Sequence, residues 1–347
     1  MMSVVLDAPN ELRLEQRPEP KPGPGEALVA IHAAGICGTD LSIFAGKIPV
    51  THPLVMGHEM VGTILALSDD VPAGGLGRGD RVVVDPTVSC GSCYQCSKGQ
   101  VNLCPNGALM GRDRDGGLSN IVAVPAANLY VIPQAISDTT GPLLQVLTTC
   151  IHSHRLTTIF PGESALVMGL GVTGLLHLQL AKARGASPLI GVTRTASKRA
   201  LAEQLGADLT LDPSDPKALE TVLGCTSGRG VDVAIEAVGR GSSLAQSIEF
   251  TRIGGRLTLF GTITEQAPSL PYYQLYYKEL MISNPRAAKP EDFPAAINSV
   301  SNGRVELEPL VSEVFPLSRA KEAIAATGSG GSLKVVLDHR EDHSASP

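Results

Sequence analysis

The chain has 347 residues, which by the usual domain size of ~100–200 residues suggests two domains. Hydrophobic residues make up 43% and charged residues 18%, so a sizeable core can form and wholesale disorder is excluded. A net charge of −6, with 6 Tyr, 6 Phe and no Trp, argues against nucleic acid or an anionic membrane as partner.

The first residues, Met1-Met2-Ser3-Val4, lack the basic-then-apolar layout of a signal peptide. No apolar run reaches the ~18 residues of a membrane span. A cytoplasmic protein is expected. Up to about residue 145 the chain reads as short strands between Gly/Pro turns. Met2–Leu6 and Leu12–Gln16 form a first hairpin, and Pro18–Gly25 is a connector. Ala27–Ala34 alternates like a half-buried strand. His58–Leu67, Arg81–Val84, Asn120–Pro125 and Leu129–Ile132 continue the series, with turns at Gly74-Gly75 and Gly77–Asp80. Pro142–His154, free of breakers after its first residue, predicts a helix.

Strict strand–helix alternation follows. Strands are expected at Ala165–Met168, Leu189–Thr193, Asp208–Leu211, Val231–Ile235 and Arg256–Phe260. Helices are expected at Val172–Arg184, Ser197–Leu205, Pro216–Leu223 and Ser242–Thr251. This pattern implies an α/β domain with a doubly wound parallel sheet. The tail adds helices at Glu291–Ser301 and Ser318–Ala326, a final strand at Lys334–Asp338 and a frayed polar end at Glu341–Pro347.

Gly169-Leu170-Gly171-Val172-Thr173-Gly174 follows a strand and opens an apolar helix, so it reads as a dinucleotide turn. Gly169 allows the tight turn, Gly171 the close approach of a diphosphate to the helix N-terminus, and Gly174 close helix–sheet packing. An acid about 20 residues on would accept from the ribose 2′-hydroxyl of NAD. Thr193 stands there instead, followed by Arg194, with Lys198 and Arg199 nearby. Two charges ~4 Å apart interact by ~4 kcal/mol at an effective dielectric of ~20. Exchanging carboxylate for arginine therefore reverses the preference, and NADP is expected over NAD.

Cys90, Cys93, Cys96 and Cys104 lie within fifteen residues. Four thiolates on one loop can close a tetrahedron around a structural zinc. An iron–sulfur cluster, two disulfides and a zinc ribbon that binds nucleic acid are the alternatives. Cys37, in Gly35-Ile36-Cys37-Gly38-Thr39-Asp40, and His58-Glu59 together offer a thiolate, an imidazole and a carboxylate. Such a set can form an open catalytic zinc site.

These motifs, with Gly62, Gly79-Asp80-Arg81-Val82, Asp115-Gly116-Gly117 and Ile235-Glu236-Ala237-Val238-Gly239, occur in one order along nearly the whole chain. The chain resembles the zinc-dependent medium-chain dehydrogenase/reductase family of alcohol, polyol and sugar dehydrogenases. The resemblance implies a Rossmann domain at about 147–286 and a β-rich GroES-like catalytic domain at 1–146, completed by 287–347. A zinc lobe is implied at about 88–106, and the active site in a cleft between the domains. It implies Cys37 and His58 as catalytic zinc ligands, and Glu59 as a third ligand or a carboxylate that can swing onto the metal. Thr39 matches the hydroxyl that passes the substrate proton.

Two positions depart from the family. Gln145, a neutral and weak donor, stands where an acidic or cysteine ligand is usual; Cys150 could replace it only in a shifted register. Ser42 replaces the histidine that often completes the proton relay. Val238 and Arg286 are further expected cofactor contacts. The charged run Arg112–Asp115 could border the cleft and suit a hydroxylated or anionic substrate. The tyrosine cluster at 272–277 suggests a subunit interface or core. His52, His152, His154 and His177 are read as structural. The expected protein is a homodimer or homotetramer with two zinc ions per chain. It would transfer hydride between NADP(H) and a small-molecule alcohol or carbonyl, with a secondary alcohol, polyol or sugar as the alcohol. A non-catalytic nucleotide-binding protein with a decayed metal site, or a zinc-free reductase, is the alternative.

Overall fold

The computed structural model describes residues 1–72, 75–264, 266 and 269–340. The expected turn at Gly74 and the polar end at 341–347 lie outside them. The chain divides into two compact units. The first comprises Met1–Thr148, Lys289–Ser301 and Leu307–Pro347; the second comprises Thr149–Ala288 and Asn302–Glu306.

The first unit is built on a seven-stranded, mostly antiparallel sheet. Its central strand, Glu26–Ile36, pairs with Glu59–Leu67, Ile121–Pro125 and the C-terminal strand Lys334–Asp338. Glu26–Ile36 alternates buried and half-buried residues as far as Ala33, then is buried on both faces up to Ile36. The alternation positions one apolar cluster around Val29, Ile64, Val82 and Val122. A second cluster, around Leu6, Ile36, Ile43, Leu118 and Ile324, packs where both faces are covered. The short helix Gly38–Phe44 directly follows this strand. Its Gly, Thr and Ile residues are weak helix formers, so the sequence pattern did not reveal it. Asp40, its third residue, supplies the missing stabilisation by accepting from the Cys37 N–H at 2.8 Å.

The second unit has six parallel strands. Counted along the unit, their spatial order is 3-2-1-4-5-6, so the direction of winding reverses between Ala165–Met168 and Val231–Glu236. Both Ala165–Met168 and Leu189–Val192 are wholly buried, as a parallel sheet covered on two faces requires. The fifth strand spans Thr251–Leu259; it begins five residues before the expected start at Arg256, and its first residue was expected to end a helix. It accommodates Gly254, at φ +66°, through a register shift against the neighbouring strand. The tyrosines form a helix, Tyr272–Tyr277, beside the edge strand Met281–Ser283. All four are exposed, so they are not core.

His154 and His177 stack in the interior of this unit with ring centroids 5.2 Å apart, and Phe260 meets His177 edge-on. None of their four ring nitrogens has a hydrogen-bond partner among the described residues. Burial pushes His177 down to about 3, and burial with the neighbouring His177 and Arg184 charges holds His154 well below the ordinary range. The native state thus binds fewer protons than the unfolded chain below the ordinary value near 6.5. Stability is lost as pH falls from there towards 3. We expect His177 to contribute a slope of up to ~1.4 kcal/mol per pH unit in that window. Denaturant melts of wild type and His177→Leu at pH 7 and 5 test this. The variant should lose less stability on acidification; equal losses would refute the assignment.

Candidate active site

Cys37 and His58 are delivered by adjacent antiparallel strands. Gly35 pairs with Glu59 across the ladder, which brings the ends of both motifs side by side. Donor atoms of Cys37, His58 and Glu59 all lie within 4.8 Å of one another, and His58 and Glu59 are buried. Gly57, at φ +94°, turns the chain into His58. The 115–118 loop zips against 55–57 through Gly116 N–H to Val55 O at 2.8 Å and Gly117 N–H to Gly57 O at 2.8 Å. A Cβ on Gly116 would lie 2.1 Å from Gly57 O, which explains the glycine pair in this loop.

Two residues without an assigned role in the sequence analysis organise the donor set. Asp40 uses one oxygen to hold Cys37 N–H and turns the other to His58 Nδ1 at 3.4 Å, an ion-pair distance without hydrogen-bond alignment. Burial works against charge at His58, but the Asp40 carboxylate outweighs it and raises the imidazole well above its ordinary range. Lys334 comes from the last strand. Its ammonium donates to Glu59 Oε1 at 2.7 Å, Glu59 Oε2 at 2.6 Å and Ile36 O at 3.2 Å. Burial opposes its charge, yet Glu59, Cys37 and Asp40 together hold its pKa above the usual lysine value. The pair also dictates Gly35, where a Cβ would lie 2.1 Å from Glu59 Oε2.

With Cys37 as thiolate and His58 neutral, as metal ligands would be, three anions face one lysine in this buried site. A divalent cation would balance the remainder. Thr39 lies half-buried in the first helical turn after Cys37, and its hydroxyl has no hydrogen-bond partner among the described residues. Ser42 instead donates to Gly38 O at 3.0 Å, one turn back in its own helix. Gln145 sits half-buried in the first turn of the helix Leu143–Leu156. Cys150 is buried and directs its thiol to Thr173 O at 3.8 Å, in the second unit. The run Arg112–Asp115 is committed to ion pairs: Arg112–Asp113, Arg114–Glu26 and Arg17–Asp115. Those charges are therefore already engaged within the first unit.

In the cysteine loop, four of the sulfur–sulfur separations are 3.5, 3.5, 3.7 and 4.0 Å. A tetrahedron with zinc–sulfur bonds of ~2.3 Å has edges of ~3.8 Å, whereas a disulfide needs ~2.05 Å. The loop therefore fits a tetrahedral metal and contains no disulfide. Backbone N–H groups of Ser92 and Cys93 pull the Cys90 thiol down to about 5, favouring the ligating thiolate.

In the second unit, a cavity of about 390 Å³ opens at the carboxyl ends of the sheet strands. Gly169, Leu170, Gly171, Thr193, Arg194, Lys198 and Val238 all line it. Nothing lies within 4 Å of a Cβ built on Gly171, which leaves room for a ligand. A Cβ on Gly174 would lie 1.7 Å from Gly169 O, so that glycine serves packing. Val172, Thr173, Gly174 and Arg286 do not line the cavity; the first three lie in the helix behind it. Arg199 is diverted to Thr193 O and Asp212. Arg240, Ser214 and Gln246 also line the cavity and had no role in the sequence analysis.

A parallel sheet with a glycine turn at its switch point, together with two clusters suited to metal, defines a nucleotide-dependent metalloenzyme. Residues 23–134 match the alcohol dehydrogenase GroES-like domain, and residues 172–302 match the zinc-binding dehydrogenase family. Sorbitol dehydrogenase of Homo sapiens is 32% identical, covering 97% of this chain and 95% of that protein. L-threonine 3-dehydrogenase of Pyrococcus horikoshii is 31% identical over 92% of each. A Sinorhizobium meliloti structure bound to NADP and described as a zinc-binding dehydrogenase is 33% identical. Its TM-score is 0.92, with 97% of this chain and 98% of that one covered. An Escherichia coli alcohol dehydrogenase structure complexed with NADH gives 30% identity and a TM-score of 0.90, covering 97% of this chain and 99% of that one. The chain belongs to the zinc-dependent medium-chain dehydrogenase/reductase family and is an NAD(P)-dependent oxidoreductase acting on CH–OH groups. No helix among the described residues is long and apolar enough to cross a membrane.

Removing Lys334 would strand a buried carboxylate. Lys334→Met should destabilise the protein by ~3–5 kcal/mol, and adding Glu59→Gln should restore part of that loss. Urea midpoints of the two proteins decide it; a double variant no more stable than Lys334→Met would count against the pairing.

Proposed function

We propose that this protein is a dehydrogenase with two zinc ions per chain that prefers NADP and oxidises a secondary alcohol, polyol or sugar hydroxyl, or reduces the corresponding carbonyl. The observation that carries the reading is the convergence of Cys37, His58 and Glu59 beside a buried lysine. The relatives named for sorbitol, and the NADP bound to a structural neighbour, favour the same class.

Cys37 and His58 hold the catalytic zinc, with Glu59 as third donor and Gln145 as a neutral oxygen in reserve. Asp40 at Nδ1 leaves Nε2 of His58 for the metal and keeps the ring oriented. Cys90, Cys93, Cys96 and Cys104 hold the second, structural zinc. When bound, zinc supplies Lewis acidity that makes an alcohol easier to deprotonate, and NADP supplies the hydride acceptor. Thr39 accepts the proton of the substrate hydroxyl. Because Ser42 donates to Gly38 O, the proton leaves Thr39 by water or by the cofactor ribose. Gly169–Gly171 and the N-terminus of the following helix hold the diphosphate, while Arg194 and Lys198 select the 2′-phosphate.

The exposed tyrosine helix and the edge strand, where Met281 is 70% exposed, supply a face for a second copy in a homodimer or homotetramer.

Metal analysis should find two zinc ions per chain in wild type and one in Cys37→Ser or His58→Ala, with turnover reduced on the order of 10³-fold. A variant with undiminished turnover would exclude the scheme. A screen of polyols, sugars and their carbonyls with both cofactors identifies the substrate. Separately, Arg194→Asp should raise affinity for NAD relative to NADP; an unchanged ratio would remove Arg194 from cofactor selection.

A further inference from the structure

The charge of the cofactor cavity exceeds what Arg194 and Lys198 supply. Arg240 lines the same cavity from the loop after Val231–Glu236, on the other side of the switch point. No acidic residue lines the cavity among the described residues. The side chains of Arg194, Lys198 and Arg240 have no ion pair or hydrogen bond among the described residues.

The surrounding helices sharpen the imbalance. Val172–Ala183, Ala196–Gln204 and Gly241–Phe250 each carry no acid in the first turn. Lys198 lies in the first turn of the second, and Arg240 is the N-cap of the third. Cations at positive helix ends are unfavourable unless an anion joins them. A diphosphate on the glycine turn meets the first of these helices. The remaining positive charge suits another anionic group.

The loop bearing Arg240 is tightly fixed. Glu236 accepts from Val238 N–H at 2.9 Å, Gly239 N–H at 2.9 Å and Ser243 Oγ at 2.7 Å. Gln246 Nε2 donates to Pro213 O at 2.9 Å, tying the Arg240 helix to the loop after Leu209–Leu211. Pro213 and Ser214 of that loop line the cavity too. Arg240 is thus anchored towards the second and third strands of the unit, on the side where a strand-end residue reads the adenine ribose.

We infer that Arg240 is a third specificity residue, pairing with the 2′-phosphate of NADP together with Arg194 and Lys198. The inference rests on the proposed reading of the cavity as an NADP site. Its guanidinium presents a planar fork that matches phosphate oxygens, whereas the 2′-hydroxyl of NAD offers no charge.

Equilibrium binding of NADPH and NADH, followed by the fluorescence of the reduced nicotinamide, tests it in the full-length protein. Competition with 2′,5′-ADP and with ADP provides a second readout without the nicotinamide. Arg240→Gln should weaken NADPH and 2′,5′-ADP about tenfold or more, and NADH and ADP less than about twofold. Arg240→Lys should recover part of the loss. Equal weakening of both cofactors would mean that Arg240 stacks on adenine or holds the diphosphate, and would overturn the inference. If Arg240→Gln leaves the NADPH/NADH ratio unchanged while Arg194→Ala lowers it, the inference fails and the NADP reading stands. If neither substitution moves the ratio, the NADP reading itself fails.

Discussion

The buried contact between Lys334 and Glu59 fixes the candidate active site. A lysine 4% exposed and a carboxylate 1% exposed meet at 2.6 Å, and the ammonium also reaches the carbonyl of Ile36, next to Cys37. Such a pair carries a heavy desolvation cost, repaid only by good geometry and further hydrogen bonds. The C-terminal strand must therefore dock beside Glu26–Ile36, and Gly35 must lack a side chain. Asp40 acts similarly over a shorter range, holding the Cys37 backbone and the His58 ring with one carboxylate. Neither residue needs to touch substrate to matter; both determine where the donors point.

Both units pair cations with acids away from the cofactor cavity. In the first, Arg17, Arg112 and Arg114 are engaged with acids, as Arg199, Arg252 and Arg256 are in the second. In the second, Glu236 satisfies backbone N–H groups of its own loop, while the cations at the cavity keep no acidic partner. A matched interior makes a rigid frame. An unmatched, solvent-accessible cavity makes a receptor for anions.

Much of the architecture could be read from local pattern. The alternation of Glu26–Ile36, the strand before Gly169 and the helix after it were apparent because burial imposes a period of two or 3.6 on neighbouring residues. The four-cysteine spacing was equally clear, since one short loop contains the whole tetrahedron. The helix Gly38–Phe44 was not, because its residues disfavour helix and a side-chain cap compensates. Asp40 carried a signal, an acid three residues after the N-cap position, that would have revealed both the helix and the orienting contact. The strand expected at Arg256–Phe260 begins earlier, at Thr251, because Gly254-Gly255 lies in an irregular register that only the neighbouring strand defines.

By itself, the sequence determined the order of elements, the glycine turn, the cysteine tetrahedron and the candidate donors Cys37, His58 and Glu59. The glycine turn and the cysteine loop are each encoded over a short stretch, whereas Cys37 meets His58 and Glu59 only through the pairing of their two strands. Only the tertiary structure decided which charges meet. It set Lys334 against Glu59 across 275 positions of chain and brought Arg240 to the cavity of Arg194. It also turned Arg199 away towards Asp212 and paired Arg114 with Glu26 and Asp115 with Arg17, both far off along the chain. Charges carry no periodic signature. Their partners are chosen by burial and by strand register, and both exist only once distant segments have packed.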